Sequence, residues 1–331
     1  MAVLSLRTLS KADALKPAID TFVEVISQPS FPERSFDRLI NQVKTSLQSE
    51  KQSPSAIADR AFYQQLYDDH PYSSMPIGTE ASIDEISIAD LQQFYQQFYV
   101  ANNAVLVIVG DVDIKQAKAL SEKISGSLPA GKKAAALPEV EPLETAQQKN
   151  LPDPSSQTTI LMGQPGLTRD DPDFFPLYVG NHVLGGSGLV SIISDEIREK
   201  RGLSYSAYSY FRPMREAGPY QFGLQTRNDQ AELALDVLNQ TLVDFVEQGP
   251  TKEQLTAAQK NITGGFALRL DSNSKIADYL AMMGFYQLPL DHLETFNSRV
   301  NAVTVDQIKA AYQKRIHPQK MVTILVGGDA E

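Results

Sequence analysis

The sequence predicts an α+β protein built as a tandem repeat whose first unit is incomplete. Amphipathic segments of helical period alternate with short apolar runs of the kind found in strands. Residues 86–110 also align on residues 303–327 without a gap, which indicates an internal repeat. The length of 331 residues is enough for two domains that each bury a core.

The order of the predicted elements follows from apolar period, capping residues and breakers. Residues 70–79 are expected to form a loop, because two prolines and a glycine interrupt them. Strands are predicted over residues 3–9, 103–110, 158–162, 203–211, 220–226 and 321–326. Helices are predicted over residues 11–28, 32–50, 55–67, 88–99, 114–128, 174–184, 191–201, 230–248, 251–270, 273–286, 290–301 and 304–316.

The repeat has a constant offset of 217 residues across its back part, so that Tyr95 meets Tyr312. A nearly identical offset of 218 places Leu6 on Leu224. Subtracting 217 from 152 places the start of an equal first copy about 65 residues before Met1. The Pro-, Ala- and Lys-rich stretch between the copies is typical of a linker. The predicted domains are 1–128, the C-terminal part of the first unit; 129–154, the linker; and 155–331, a complete second unit.

Composition excludes several classes of function. A net charge of -10 argues against nucleic acid as a partner, because that affinity depends on Lys and Arg neutralising phosphates. No apolar run approaches the 18 or so residues that a membrane span needs. The chain has no cysteine, which excludes disulfides, thiolate nucleophiles and Cys-bound zinc. The first ten residues lack the charged start and the apolar core of a signal peptide.

The stretch 191–211 carries the candidate catalytic residues Arg198 and Tyr205. An amphipathic helix is expected to end at Gly202, and an aromatic strand is expected to follow it. Arg198 would then lie in the last turns of the helix and Tyr205 at the start of the strand. A guanidinium and a phenol can converge across such a turn and donate hydrogen bonds to one oxygen. The alternative is a solvated helix-end charge beside a packing tyrosine.

Several motifs together resemble the M16 metallopeptidases, the pitrilysin-like and mitochondrial-processing-peptidase-like proteins. The motifs are the run DEIREKRGLSYS, the Gly-rich turn LGGSG at 184–188, the stretch HPYSSMPIGTEASI at 70–83 and the strand VLVIVGDVD at 105–113. The resemblance covers essentially the whole chain. It implies tandem units of the LuxS/MPP-like metallohydrolase type, each an antiparallel-rich sheet flanked by helices. It also implies a structural role for the Gly-rich turn.

The resemblance implies that this chain binds no zinc. Catalytic M16 members bind zinc through an inverted His-x-x-Glu-His helix and a later glutamate. None of the four histidines has that spacing, and Ser46 occupies the position that matches the third-ligand glutamate. Glu50, one helical turn later, is the nearby carboxylate that a shifted register would recruit. The four histidines are His70, His182, His292 and His317.

Arg198 and Tyr205 match the family's Arg–Tyr pair, which in similar peptidases holds the substrate carbonyl and the oxyanion. The resemblance therefore implies a non-catalytic, substrate-clamping subunit of a heterodimeric zinc endopeptidase. Its partners would be a peptide substrate and a zinc-bearing M16-like chain, or a second copy of itself. One alternative is a structural or assembly protein without proteolysis. Another is a fragment of a catalytic peptidase that retains Glu50. The resemblance suggests a bacterial periplasm or envelope location.

Overall fold

The computed structural model describes residues 2–328, which form two compact units. Unit 1 comprises Met1–Thr45, Thr79–Ala136 and Ala267–His292. Unit 2 comprises Ser46–Gly78, Leu137–Phe266 and Leu293–Glu331. Helices and one mixed sheet make up the described chain, which confirms the α+β class.

The elements are numbered along the chain. The strands are β1 (Gln147–Leu151), β2 (Gln157–Pro165), β3 (Ala207–Phe211), β4 (Pro219–Arg227) and β5 (Val322–Val326). The helices are α1 (Ala12–Ser27), α2 (Glu33–Glu50), α3 (Pro54–Tyr67), α4 (Glu80–Glu85), α5 (Ile88–Phe98), α6 (Ile114–Ser125), α7 (Phe174–Asn181), α8 (Ile192–Ser194), α9 (Ala231–Gln248), α10 (Lys252–Phe266), α11 (Asn273–Tyr286), α12 (His292–Asn301) and α13 (Val305–Arg315).

Unit 2 is organised around a five-stranded sheet of order β1-β5-β2-β4-β3. The pairs β5-β2, β2-β4 and β4-β3 are antiparallel, and β1 runs parallel to β5. Strand β2 is buried along most of its length, as expected for a central strand covered on both faces. The predicted antiparallel-rich sheet is therefore present in this unit, with β3 and β1 as its edges.

Helix α3 covers one face of the β2-β5 part of this sheet. Ser53 caps its N-terminus and Pro54 occupies the first turn, where a missing N–H costs nothing. Its apolar side packs on alternate strand residues, because successive residues of a strand point to opposite faces. The resulting core contains Ala58, Ala61, Phe62, Leu66, Tyr67, Leu161, Val322, Ile324 and Val326.

Unit 1 packs α1 against α6 through buried Ile19, Ile26 and Ile124. Lys123 of α6 and Asp20 of α1 form an ion pair at the edge of this contact. The predicted strands 3–9 and 103–110 are wrong, because neither segment is assigned to a strand in the structure. Segment 3–9 is rich in apolar residues and segment 103–110 contains a continuous apolar run, but the described residues of unit 1 place no strand beside either. A strand needs a hydrogen-bonded neighbour, so the pattern alone did not suffice.

The two units exchange segments along the sequence. Unit 1 consists mostly of N-terminal residues but includes Ala267–His292, and unit 2 consists mostly of C-terminal residues but includes Ser46–Gly78. Adding the repeat offset of 217 to 46–78 gives 263–295, a range that contains Ala267–His292. In unit 2, Tyr67 of α3 and Val322 of β5 pack in the same core. In unit 1, Gly284 of α11 lies so close to Val105 that an added Cβ would be 2.5 Å from its Cγ1. These two contacts correspond at the same offset, so the division into repeats stays a prediction that the packing favours.

Three further predictions differ from the structure in detail. The predicted linker 129–154 contains β1, a polar strand whose apolar period is too weak to read from sequence. The strand predicted over 203–211 begins only at Ala207, which leaves Tyr205 in a turn. The predicted boundaries at residues 128 and 154 do not separate the compact units, which are built from interleaved segments.

Candidate functional site

A widened helical turn places Arg198. Helix α8 continues as a π-helix over Asp195–Glu199, in which the Lys200 amide donates to the Asp195 carbonyl at 2.9 Å. Its apolar side is fully buried through Ile193 and Ile197, which fixes the rotation of the helix. Such π-turns are uncommon and concentrate at functional sites. The Arg198 side chain therefore extends from a helix whose orientation is fixed by its buried apolar side.

Gly202 ends this helix with a φ of 63°, as a left-handed glycine after a helix should. Its amide donates to the Arg198 carbonyl at 3.0 Å. The Leu203 amide donates to the Ile197 carbonyl at 2.9 Å, and buried Thr226 donates its hydroxyl to the Leu203 carbonyl at 2.6 Å. The chain that leaves the helix is thus bonded both to the helix and to β4.

Tyr205 is the middle residue of a turn closed by two serines. The Ser204 hydroxyl donates to the Ser206 carbonyl at 2.8 Å and accepts from the Ser206 amide at 3.3 Å. The turn pushes the phenol outward, and Tyr205 is 82% exposed. A large aromatic side chain gains little stability from such exposure, and the phenol is accessible to a molecule outside this chain.

The structure brings the predicted pair together. The Arg198 guanidinium carbon lies 4.8 Å from the centroid of the Tyr205 ring, which is a cation–π contact. The Arg198 Nε also lies 3.5 Å from Glu199 Oε1. The contact orders the flexible arginine side chain against the ring. A carbonyl oxygen bound by both residues would lie beside the guanidinium N–H groups and the phenol hydroxyl. This geometry differs from two donors that face one point across an open turn.

Acidic and basic neighbours surround the pair on its helix. Glu196 accepts hydrogen bonds from Lys200 and Arg201, and these bonds hold the pKa of its carboxyl below the ordinary range. Lys200 also lies 2.9 Å from Asp195. These acidic and basic side chains neutralise one another. The Arg198 guanidinium lies beside the exposed phenol.

The Gly-rich turn supports the site from behind. The amide of Asn181 donates to the Ser209 carbonyl at 3.0 Å and accepts from the Ser209 hydroxyl at 2.7 Å, both in the buried core. Gly185 packs on this pair, and a Cβ there would lie 2.2 Å from the Ser209 Oγ. Gly185 can approach Ser209 this closely only because it has no side chain. The Gly-rich turn therefore serves to pack against β3.

Residues 85–262, more than half of the chain, match the family model described as the peptidase M16 inactive domain. Both the Gly-rich turn and the Arg198–Tyr205 pair lie inside that match. The chain belongs to the peptidase M16 inactive-domain family.

This M16 chain is similar to proteins whose names disagree about activity. The solved peptidase M16 inactive domain of Pseudomonas fluorescens is 36% identical, with a TM-score of 0.93 over 97% of this chain and 77% of that chain. The non-peptidase homolog YmxG of Helicobacter pylori is 25% identical over 295 residues, 88% of this chain and 67% of the relative. The uncharacterized zinc protease YmxG of Bacillus subtilis is 25% identical over 297 residues, 88% and 70% of the two chains.

The M16 chain offers no donor set that fits zinc within residues 2–328. No three His, Cys, Asp or Glu side chains converge there. Ser46 and Glu50 both lie near the end of α2, and Glu50 accepts from Arg60 at 2.9 Å. His70 accepts from the Tyr72 amide at 3.0 Å within its own loop. No step of a reaction can be assigned to a metal held by these residues.

Sequence reasoning missed a polar cluster beside α3 in this M16 chain. Its signals were an i, i+4 pair on a helix and an alternation along a strand, each common enough to pass unnoticed. Arg212 donates to the Tyr63 hydroxyl at 3.1 Å, and the rings of Tyr208 and Tyr210 stack at 5.9 Å. We name it the α3-flank cluster: Asp59, Tyr63, Tyr208, Tyr210, Arg212 and Gln221.

Among residues 2–328, no helix is both long enough and apolar enough to span a membrane.

Proposed function

We propose that this M16 chain is the substrate-clamping, non-zinc subunit of a heterodimeric zinc metalloendopeptidase that acts on extended peptides. The observation that carries the proposal is the Arg198–Tyr205 contact at 4.8 Å with the phenol 82% exposed. An ordered donor pair on a surface has a use only when an acceptor arrives from outside the chain.

Arg198 and Tyr205 would bind the carbonyl oxygen of the scissile peptide bond. As the oxygen gains negative charge in the tetrahedral intermediate, both hydrogen bonds strengthen, which lowers the barrier selectively. A zinc ion in the partner chain would supply Lewis-acid activation of that carbonyl or of a water molecule. The planar fork of the guanidinium and its stacking on the ring keep both donors in place without reorganisation.

Unit 1 supports an association with a second chain. Val3, Leu4, Leu9, Val105 and Leu106 are exposed apolar residues within the described part of this unit. They belong to two segments without assigned secondary structure, and exposed apolar residues grouped on a surface favour association with another chain. The proposed partner is a zinc-bearing M16-like chain, with self-association as the other arrangement.

A structural or assembly role is the second candidate function. It is favoured by the Helicobacter pylori relative, whose name calls it a non-peptidase. An assembly protein has no need of a carbonyl clamp, so variants at Arg198 and Tyr205 would leave its complexes unchanged. The catalytic-fragment alternative needs Glu50 as a ligand, and the Arg60 ion pair occupies that carboxylate.

Reconstitution tests the proposal. The chain is mixed with a zinc-bearing M16 chain of the same organism, and cleavage of a quenched-fluorescence peptide is followed against each chain alone. We expect activity that requires both chains and that is lost in a double Arg198→Ala, Tyr205→Phe variant. Activity of the zinc chain that is independent of this chain would reject the role of an obligatory subunit.

A further inference from the structure

We propose that the α3-flank cluster binds a cationic side chain, arginine or lysine, of the extended peptide. The proposal rests on the proposed function for the identity of the ligand as a peptide. It assigns to unit 2 a recognition site for one side chain, separate in its residues from the Arg198–Tyr205 pair.

Strand geometry gathers the cluster on one face of the sheet. Tyr208, Tyr210 and Arg212 alternate along and just beyond β3, so their side chains leave the same face. Strand pairing sets Tyr208 opposite Gly223 and Tyr210 opposite Gln221. Helix α3 covers the β2-β5 part of this face with apolar residues, whereas the β3-β4 part carries polar and aromatic ones.

Gly223 gives the Tyr208 ring room to lie close over β4, next to the stacked Tyr210 ring. A Cβ at this position would lie 2.5 Å from the Tyr208 hydroxyl, so the ring lies down over the strand only because glycine is there. Tyr208 and Tyr210 stack with an interplanar angle of 14° and remain 38% and 37% exposed. Partly exposed parallel rings offer a π surface, and that surface attracts cations.

Two polar members of the cluster, Asp59 and Gln221, add acceptor oxygens beside the rings. Burial raises the pKa of the Asp59 carboxyl, while the Gln221 side chain and the charge of Arg212 act in the opposite direction. The carboxyl is hydrogen-bonded to the side chain of Gln221, which lies opposite Tyr210 in the sheet. Burial, together with the charge of Asp59, raises the pKa of both Tyr208 and Tyr210. Gln221 is 1% exposed, and its Oε1 has no hydrogen-bond partner in the described residues.

A buried acceptor without a partner and a desolvated carboxylate both cost free energy, and both are relieved by a nearby donor. Arg212 provides one positive charge at the cluster and bonds to Tyr63. A second cation over the rings would pair with Asp59 and stack on Tyr208 and Tyr210. The net charge of -10 adds an overall field that favours cationic ligands.

The test uses three blocked decapeptides that differ only at one central residue: arginine, lysine or neutral citrulline. Citrulline keeps the shape of arginine but removes its charge. Binding to the full chain is measured by calorimetry at low ionic strength, since salt screens such contacts. We expect the arginine and lysine peptides to bind about tenfold more tightly than the citrulline peptide.

Two variants at the site and one control make the result specific. Asp59→Asn should remove the preference for the charged peptides, and Tyr210→Leu should reduce it while keeping an apolar side chain. Asp68→Asn, at the exposed end of the same helix, should retain the full preference. A circular-dichroism melt confirms that each variant is folded.

Three results would overturn the site: equal affinity of the wild type for arginine and citrulline peptides, a preference that survives Asp59→Asn, or no binding of any peptide. The outcome is independent of the clamp, because no turnover is measured. Tyr205→Phe should leave the peptide preference intact. If the chain prefers cationic peptides but does not affect peptide cleavage by the zinc-bearing chain, only the clamp is refuted.

Discussion

Tyr205→Phe is the substitution that tests the clamp most directly. It removes a single hydroxyl and keeps the ring on which Arg198 stacks at 4.8 Å. If the hydroxyl donates to the oxyanion, its loss should lower kcat on the order of 10² to 10³, or roughly 3 to 4 kcal/mol, as for other single oxyanion donors. Because Tyr205 is 82% exposed, the free energy of unfolding should change by less than about 0.5 kcal/mol.

The assay is steady-state cleavage of a fluorogenic peptide by the reconstituted pair, with a melting curve for each variant. A lower kcat with an unchanged melt assigns the hydroxyl to the transition state rather than to folding. Arg198→Lys serves as the companion variant. Its ammonium cannot reproduce the planar fork or the stack, so it should not restore activity. Wild-type kcat in both variants would refute the clamp, and a lower melting temperature with unchanged kcat would indicate a packing role.

Four further outcomes are expected. Metal analysis after dialysis should find no stoichiometric zinc in the isolated chain, and one tightly held zinc per chain would contradict the non-zinc subunit. Sedimentation should show association with a zinc-bearing M16 chain or with itself; a strict monomer at high concentration without any recovered partner would count against it. Asp59→Asn should raise the free energy of unfolding at neutral pH. The pKa of Asp59 is higher in the folded protein than its ordinary 3.8, so ionisation of this carboxyl destabilises the fold as the pH rises above 3.8. The gain in the variant should therefore vanish below about pH 3.8 in melts recorded at different pH values. Gly185→Ala should cost about 1 to 3 kcal/mol through overlap with Ser209, whereas Gly264→Ala, with open space around it on α10, should stabilise by about 0.5 to 1 kcal/mol in the same unfolding assay.

Most helices could be predicted from sequence because their signals are local. The predicted helix 273–286 has the observed bounds of α11, α9 begins one residue later than predicted, and α13 is one residue shorter at each end. A capping residue and a period of 3.6 residues act within one segment, so no knowledge of neighbours is required.

Strands were predicted less well because a strand depends on a neighbour that the pattern does not name. Segment 103–110 has the apolar run of β5, its counterpart in the repeat, yet only β5 has hydrogen-bonded partners on both sides in the described chain. Polar β1 has a parallel partner and forms despite a composition that favoured a linker. Pairing over long sequence separation decided both cases.

The sequence predicted the pairing of Arg198 with Tyr205 but not the geometry of their contact. Family spacing identified Arg198 and Tyr205, and the structure brings them into contact. The stacking of the guanidinium on the ring depends on the π-turn at Asp195–Glu199 and on the Ser204–Ser206 turn, neither of which has a periodic signal. The α3-flank cluster depends on α3 crossing a sheet built from residues about 150 positions later, which only the folded chain reveals.

Because Ser46–Gly78 and Ala267–His292 are exchanged between the units, neither half of the sequence contains a whole unit. A cut within residues 129–154 would follow the sequence repeat, yet it would strip α3 from the sheet and leave Leu161, Val322 and Ile324 uncovered. Neither half is therefore a self-sufficient module that recombination could move into another protein. The two units can therefore diverge in sequence only while Ser46–Gly78 continues to pack within unit 2 and Ala267–His292 continues to pack within unit 1.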